Sequence, residues 1–424
     1  MKRRKPHLGG ISKIGFRAFG AYSVGCKIKE DFIVPLLAKT PPMGWNSWNT
    51  FGGNINEELV KNTADAFISH GLKDAGYEYI VIDDCWSKKS RDENGRLVPD
   101  KNKFPNGMKA LADYIHSKGL KFGIYSCAGI HTCAGYPGSF EHEFVDAVTF
   151  AEWGVDYLKY DYCYKPRNVA GEDLYKRMAF ALRNCGRNIV LSACNWGNDG
   201  VQKWIKESGC HLYRSTGDIQ NNWKSIEGIM LSQLNNACFS GIDCWNDMDM
   251  LVVGMGSAGE NAYVLSTGCS QTEYRTHFSV WAVMNSPLMI GCDVRNMTEQ
   301  TVSILTNKDV IALNQDIEGR APYCIRQWNN PDNVFSLVKP LSGDTPTGGG
   351  YAIAMINISD VKAEMSLQFY DIGLPYASGF GLEFYDCWKH EVIGFFTERA
   401  SIDIEPHECR VFRCRVARQR PPAR

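Results

Sequence analysis

The chain has 424 residues, with 46 Lys and Arg against 47 Asp and Glu for a formal net charge of -1, and 44% of it is hydrophobic and 22% charged. That balance describes an ordinary globular protein and implies neither nucleic acid nor an acidic membrane as a partner. No stretch approaches the apolar length needed to span a bilayer.

The chain starts with a basic cluster of Lys2, Arg3, Arg4, Lys5, Lys13 and Arg17, but no uninterrupted apolar run follows before Lys27, so no secretion signal is predicted. Residues 1–39 read as an N-terminal extension. From there strand and helix patterns alternate: 43–48 with 57–75, 79–84 with 107–118, 121–127 with 141–153, and 157–161 with 174–184. The alternation continues with 189–194 and 201–207, 211–214 and 226–239, 244–247 and 273–283, and 288–292 and 301–305. Eight strand-helix units predict an α/β fold, a closed (β/α)8 barrel over residues 40–318. An open doubly wound sheet is the competitor, yet no Gly-x-Gly-x-x-Gly loop follows the first strand. After about Asn314 short strand patterns take over at 324–328, 334–338, 351–356, 365–369, 381–385 and 409–414, separated by Gly, Pro, Asn and Asp turns. They predict an antiparallel β-sandwich over residues 319–424. The 16 cysteines have no zinc-finger spacing, and most read as small buried apolar side chains.

A barrel gathers its chemistry at the C-terminal ends of its strands. Those ends carry Trp45 and Trp48, Asp83-Asp84, Tyr125, Lys159 and Asp161, Asn195-Trp196, Arg214 with Asp218 beyond it, and Asp247 with Asp249. Aromatic faces beside carboxylates and amides suit a molecule with many hydroxyls, such as a sugar. Lys159 and Asp161 lie two apart on one strand and so point the same way. A nearby cation lowers a carboxylate pKa, which suits a nucleophile, although a buried ion pair that only orders the strand end would look the same. Asp218 is either an acid on a loop or the N-cap of the next helix. Asp83, Asp84, Asp247 and Asp249 could hold a hard cation, but Lys159 and Arg214 at the same mouth oppose it, so no metal and no cofactor is expected.

The segments Thr40-Pro41-Pro42-Met43-Gly44-Trp45-Asn46-Ser47-Trp48, Ile82-Asp83-Asp84-Cys85-Trp86, Thr132-Cys133-Ala134-Gly135, Lys159-Tyr160-Asp161-Tyr162-Cys163 and Trp245-Asn246-Asp247-Met248-Asp249 resemble glycoside hydrolase family 27, the alpha-galactosidases and alpha-N-acetylgalactosaminidases. The resemblance implies that Asp161 is the nucleophile of a retaining mechanism and Asp218 its acid/base, with the two carboxylates about 5 to 5.5 Å apart. It also implies that Asp83 and Asp84 grip the 4- and 6-hydroxyls, that Trp48 is an aromatic wall, and that Tyr125, Lys159, Arg214 and Asp249 make further sugar contacts. Cys133 with Cys163, and Cys194 with Cys210, match family disulfides. The substrate implied is an alpha-galactoside, with alpha-N-acetylgalactosaminidase or beta-L-arabinopyranosidase activity as alternatives, and a homo-oligomer is possible within the family.

Two departures stand out. Gly52-Gly53 replaces a cysteine common in the family and leaves Cys85 without that partner, which with the missing signal favours a reducing, cytoplasmic setting in a microbe. Asn195 stands where galactosidases usually carry a glutamate facing the 2-substituent.

Overall fold

The computed structural model describes residues 36–256, 261, 264, 266–343 and 349–418; the basic cluster at the start of the chain lies outside them. Eight parallel strands, β1 (Met43–Asn46), β2 (Tyr79–Val81), β3 (Lys121–Cys127), β4 (Tyr157–Asp161), β5 (Val190–Cys194), β6 (Leu212–Arg214), β7 (Trp245–Asp247) and β8 (Leu288–Ile290), pair in the order β7-β6-β5-β4-β3-β2-β1-β8. The ring closes just beyond β7. Leu251 pairs in parallel with Ile290, its N–H reaching Met289 O at 2.7 Å and its carbonyl accepting Gly291 N at 2.9 Å.

Strand periodicity divides the core in two. Ile80, Ile124, Leu158, Leu191 and Tyr213 pack outward into the layer that meets the helices. Tyr79, Val81, Tyr157, Val190, Leu212, Trp245 and Met289 form a separate cluster that fills the lumen. Gly123 makes that plug possible, since a Cβ there would lie 2.6 Å from Val81 Cγ2.

Side-chain caps open several of the helices. Asn56 accepts from Leu59 N to open α2 (Glu57–Ser69), which follows the short α1 (Trp48–Phe51), and Asn222 accepts from Ser225 N to open α6 (Trp223–Gln233); α3 (Gly107–Ser117), α4 (Glu143–Trp153) and α5 (Gly171–Arg183) lie between them in the chain. Ser270 and Glu273 form a capping box at the start of α7 (Gln271–Val283), followed by α8 (Glu299–Leu305) and α9 (Lys308–Asn314).

Several local expectations fail. The strand expected at 79–84 ends at Val81, and the helix expected at 57–75 ends at Ser69. β1 stops at Asn46, so Trp48 opens α1 rather than ending a strand. The helix expected at 201–207 is two 3-10 turns, Asn198–Lys203 and Ile205–Ser208, divided at Trp204, whose φ of -130° is not helical. The helix expected at 226–239 ends at Gln233, with a 3-10 turn at Ala237–Phe239.

Past the barrel, β9 (Tyr323–Arg326), β10 (Val334–Pro340), β11 (Gly350–Asn357), β12 (Ala363–Gln368), β13 (Phe380–Asp386), β14 (Glu391–Phe396), β15 (Arg399–Ile404) and β16 (Cys409–Arg418) make a six-stranded antiparallel sheet, β14-β13-β16-β11-β10-β9, and a β12-β15 pair. Met365, Leu367, Ala400, Ile402 and Ile404 of the pair share one apolar core with Val338, Ile353, Phe384 and Phe412 of the larger sheet, which makes a sandwich. β14 and β15 were not expected from the sequence.

The sandwich rests on α7, where Thr276 Oγ1 donates to His407 O at 2.7 Å and accepts Cys409 N at 2.8 Å. Buried Lys339 donates from β10 to Asn285 Oδ1 and Leu313 O of the barrel. Those partners offset only part of the cost of taking an ammonium out of water, and burial pulls the Lys339 pKa down to about 8. Among the described residues no helix is long and apolar enough to cross a membrane.

Candidate active site

The lumen cluster continues into a polar mouth by the same period of two. Val81 leads to Asp83, Tyr157 to Lys159 and Asp161, Val190 to Ser192 and Cys194, Leu212 to Arg214, and Trp245 to Asp247, and all of these polar residues line one pocket. Trp48, Asp84, Tyr125, Asp218 and Asp249 complete it. Of the thirteen strand-end residues named from the sequence, eleven line this pocket; Trp45 is buried with its Nε1 donating to Cys292 O at 2.9 Å, and Asn195 is the other exception.

Asn195 is fully buried, and its Nδ2 donates to Asn198 O at 3.0 Å instead of facing the pocket. The reason is parity. Asn195 is one step out of phase with Val190, Ser192 and Cys194, so Cys194 and Trp196 take the wall it was expected to hold. Counting from Val190 would have found Cys194.

Asp161 is held at both oxygens: Tyr162 N donates to Oδ1 at 2.8 Å and the Tyr125 hydroxyl to Oδ2 at 3.0 Å. Lys159 does not bond it. The ammonium reaches across the lumen to Asp83 Oδ2 at 2.7 Å, where Asn46 Nδ2 also donates at 2.7 Å. Burial therefore outweighs the nearby cation, and the Asp161 pKa rises from 3.8 to about 6, against the lowering expected from sequence. Asp84 accepts from Cys85 N at 2.7 Å and Ala134 N at 2.9 Å, and burial pushes its pKa up as well.

Asp218 is set differently, with its side chain 73% exposed and one oxygen taken by Arg214 Nη2 at 2.7 Å. Burial works against ionisation here too, but the Arg214 guanidinium prevails and holds the carboxyl below its usual value. A loop that keeps Asp218 protonated is thus not what the free protein provides. Nor is Asp218 an N-cap, since Asn222 caps α6. The same Nη2 lies 2.9 Å from Asp249 Oδ2, which also accepts Ile219 N at 2.7 Å. Cys85, Trp196 and Asp249 adopt φ of 70°, 58° and 82° just beyond their strands, backbone strain of the kind that gathers at functional sites.

The acidic strand ends do not make a hard-cation site. Lys159 pairs with Asp83 and Arg214 with Asp249, and among the described residues these carboxylates do not converge as a set of ligands.

Cys133 and Cys163 are joined by a disulfide beside Asp161. Cys194 and Cys210 are free and buried, and the strand register explains why. Leu212 pairs with Ser192, so Cys210 sits level with Val190, four residues below Cys194. At about 3.3 Å per residue the two are about 13 Å apart along the barrel, beyond the roughly 7 Å a disulfide can bridge between Cα atoms.

At the Cys85 departure, a Cβ on Gly53 would lie 3.2 Å from Cys85 Sγ and 3.4 Å from its Cβ. In place of a disulfide, Lys103 Nζ donates to both Gly53 O at 2.7 Å and Cys85 O at 2.8 Å. Gly53→Cys is expected to form the bond on oxidation and, by closing a loop of roughly 30 residues, to stabilise the protein by about 3 kcal/mol. Non-reducing mass analysis and urea unfolding with and without a reductant check this; two free thiols in the oxidised variant would refute it.

A family model described as alpha galactosidase A matches residues 40–316, and one for the alpha galactosidase C-terminal beta sandwich domain matches residues 335–414. Alpha-galactosidase 3 of Arabidopsis thaliana is 45% identical over 383 residues, covering 89% of this chain and 82% of that protein. The crystal structure of alpha-galactosidase I from Mortierella vinacea superposes with a TM-score of 0.82 at 36% identity, over 89% of this chain and 97% of that one. The alpha-galactosidase from Saccharomyces cerevisiae with raffinose gives a TM-score of 0.79 at 29% identity, over 90% and 100% of the two chains. With this barrel, this sandwich and this constellation of carboxylates, the chain belongs to the alpha-galactosidase family, glycoside hydrolase family 27.

Proposed function

We propose that the protein releases terminal alpha-D-galactose from alpha-galactosides, oligosaccharides included, by two displacements with net retention. The observation that carries this is the contrast between its two carboxylates. Asp161 is buried with both oxygens oriented, whereas Asp218 faces the same pocket with one oxygen on Arg214 and most of its side chain open. A fixed, poorly solvated carboxylate suits attack on carbon, and an open one suits proton exchange with a leaving group and with water.

In the first displacement an Asp161 oxygen bonds to the anomeric carbon as the glycosidic bond breaks, and Asp218 gives its proton to the departing oxygen. In the second, Asp218 takes a proton from water, whose oxygen bonds to the anomeric carbon as the Asp161 ester breaks. Tyr125 and Tyr162 N hold the nucleophile in line throughout, which removes reorganisation from the barrier.

Asp83 and Asp84 read the sugar as the family resemblance implies, by accepting from its 4- and 6-hydroxyls. Each is already anchored by protein donors, so its remaining lone pairs have fixed directions that discriminate axial from equatorial hydroxyls. A beta-L-arabinopyranoside lacks the carbon that bears the 6-hydroxyl and leaves one of these acceptors unsatisfied. At the position expected to face the 2-substituent, Cys194 offers a short thiol, with Arg214 Nη1 3.9 Å from its sulfur.

Proton NMR of the sugar first formed from an aryl alpha-galactoside tests the mechanism. The alpha anomer should appear first and mutarotate to beta; initial release of beta would exclude retention.

A further inference from the structure

The Cys133–Cys163 disulfide bounds the pocket beside Asp161, and its two sulfurs and an Asp161 carboxylate oxygen lie within 4.8 Å of one another. Cys133 is exposed, so a reductant can reach the bond; Cys163 is half-buried and Asp161 is buried. Opening the disulfide would leave two thiols and a carboxylate facing one point.

We propose that reduction of this disulfide creates a binding site for one thiophilic divalent cation, Zn²⁺ or Cd²⁺, held by Cys133, Cys163 and Asp161, and that the bound ion stops turnover by occupying the nucleophile. Two thiolates and a carboxylate are a donor set suited to zinc, with the fourth position left to water. With Zn–S about 2.3 Å and Zn–O about 2.0 to 2.2 Å, tetrahedral sulfurs stand about 3.8 Å apart, a spacing that small side-chain rotations supply.

The thiols stay together after reduction because the loops that carry them are tied independently. Ala128 N donates to Asp161 O at 2.9 Å, Ile130 N to Tyr164 O at 3.3 Å, and Cys127 Sγ to Cys163 O at 3.1 Å. Gly129 allows the approach, since a Cβ there would lie 2.0 Å from Cys163 O. The Lys159 charge that disfavours an ion at Asp161 alone is offset by the two thiolates.

The chemistry balances with a water-soluble phosphine as reductant. The phosphine gives two electrons to the disulfide and takes the oxygen of water to become its oxide, and the water's two protons go to the sulfurs. The ion then displaces both thiol protons to the buffer as it binds.

The test titrates Zn²⁺ into oxidised and phosphine-reduced enzyme, with initial rates on an aryl alpha-galactoside normalised to the same form without zinc. Cd²⁺ serves as a second probe, read by its thiolate charge-transfer absorption. Reduced enzyme should lose about tenfold or more of its rate at roughly micromolar zinc and recover on adding EDTA, while oxidised enzyme is unaffected. Cys163→Ser, kept reduced, should lose both the zinc sensitivity and the Cd²⁺ band. Equal inhibition of both forms, no inhibition of the reduced form, or undiminished sensitivity in Cys163→Ser would overturn the proposal. Should reduction alone stop turnover, the Cd²⁺ band decides: present in reduced enzyme and absent in Cys163→Ser supports the site, and its absence from both overturns it. The block rests on Asp161 being the nucleophile, which the Asp161 variants discussed below test without metal.

Discussion

Asp161→Ala and Asp161→Asn lose turnover of aryl alpha-galactosides by about ten-thousand-fold or more, since the step that forms the glycosyl-enzyme has no other nucleophile. The Asn variant is at the same time more stable than the parent at neutral pH. Asp161 titrates at 3.8 when unperturbed and at about 6 in the fold, so folding disfavours its ionised form. That penalty is full above about pH 6 and disappears as the pH falls below the unperturbed 3.8. It amounts to about 3 kcal/mol at most, and asparagine, which keeps the shape without the charge, escapes it. Urea unfolding at pH 7 should therefore show the Asn variant ahead, with the gap closing by pH 4. Near-normal activity in either variant would refute the role of Asp161, and an Asn variant less stable than the parent at pH 7 would refute the energetic argument.

Asp218→Ala lowers kcat/KM by about a hundredfold to ten-thousandfold for substrates with poor leaving groups. The loss is smaller for activated aryl galactosides, whose leaving oxygen needs no proton. Without a base for the second displacement the glycosyl-enzyme accumulates and is visible as added mass on the protein. The fold is expected to survive, because the side chain is 73% exposed and Arg214 keeps its contact with Asp249. The pH profile changes shape as well. With Asp161 at about 6 and Asp218 lowered from 3.8, the pair works when it holds one proton, so kcat/KM of the parent falls above about pH 6 and again below the Asp218 value. In the variant an activated substrate requires only ionised Asp161, so kcat/KM rises through about pH 6 and then stays level. A profile that still falls above pH 6 would assign the alkaline limb to another group.

Much of the site was legible because a strand repeats every two residues and a barrel puts all its strand ends at one mouth. Asp83, Lys159, Asp161 and Arg214 each follow a lumen-filling residue by an even step. The same rule, carried through β5, selects Cys194 over Asn195; resemblance to a family motif pointed one residue too far. β15 was equally readable, with Ala400, Ile402 and Ile404 buried and Arg399, Ser401 and Asp403 exposed. β14 was not, since its residues are nearly all partly exposed and carry no alternation.

What the sequence determined by itself was local and periodic: the eight strands, most of the helices between them, the change to an all-β region, and the identities of the groups at the mouth. What only the tertiary structure decided were relations across strands. Lys159 bonds Asp83 on β2's extension rather than the carboxylate two residues along its own strand. Asp161 is raised and Asp218 lowered because one is buried whole and the other lies against Arg214. Cys133 meets Cys163 while Cys194 and Cys210 stand apart, through loop lacing in one case and strand register in the other. Desolvation, charge pairing and disulfide reach depend on distances between segments far apart in the chain, and only the closed barrel sets those distances.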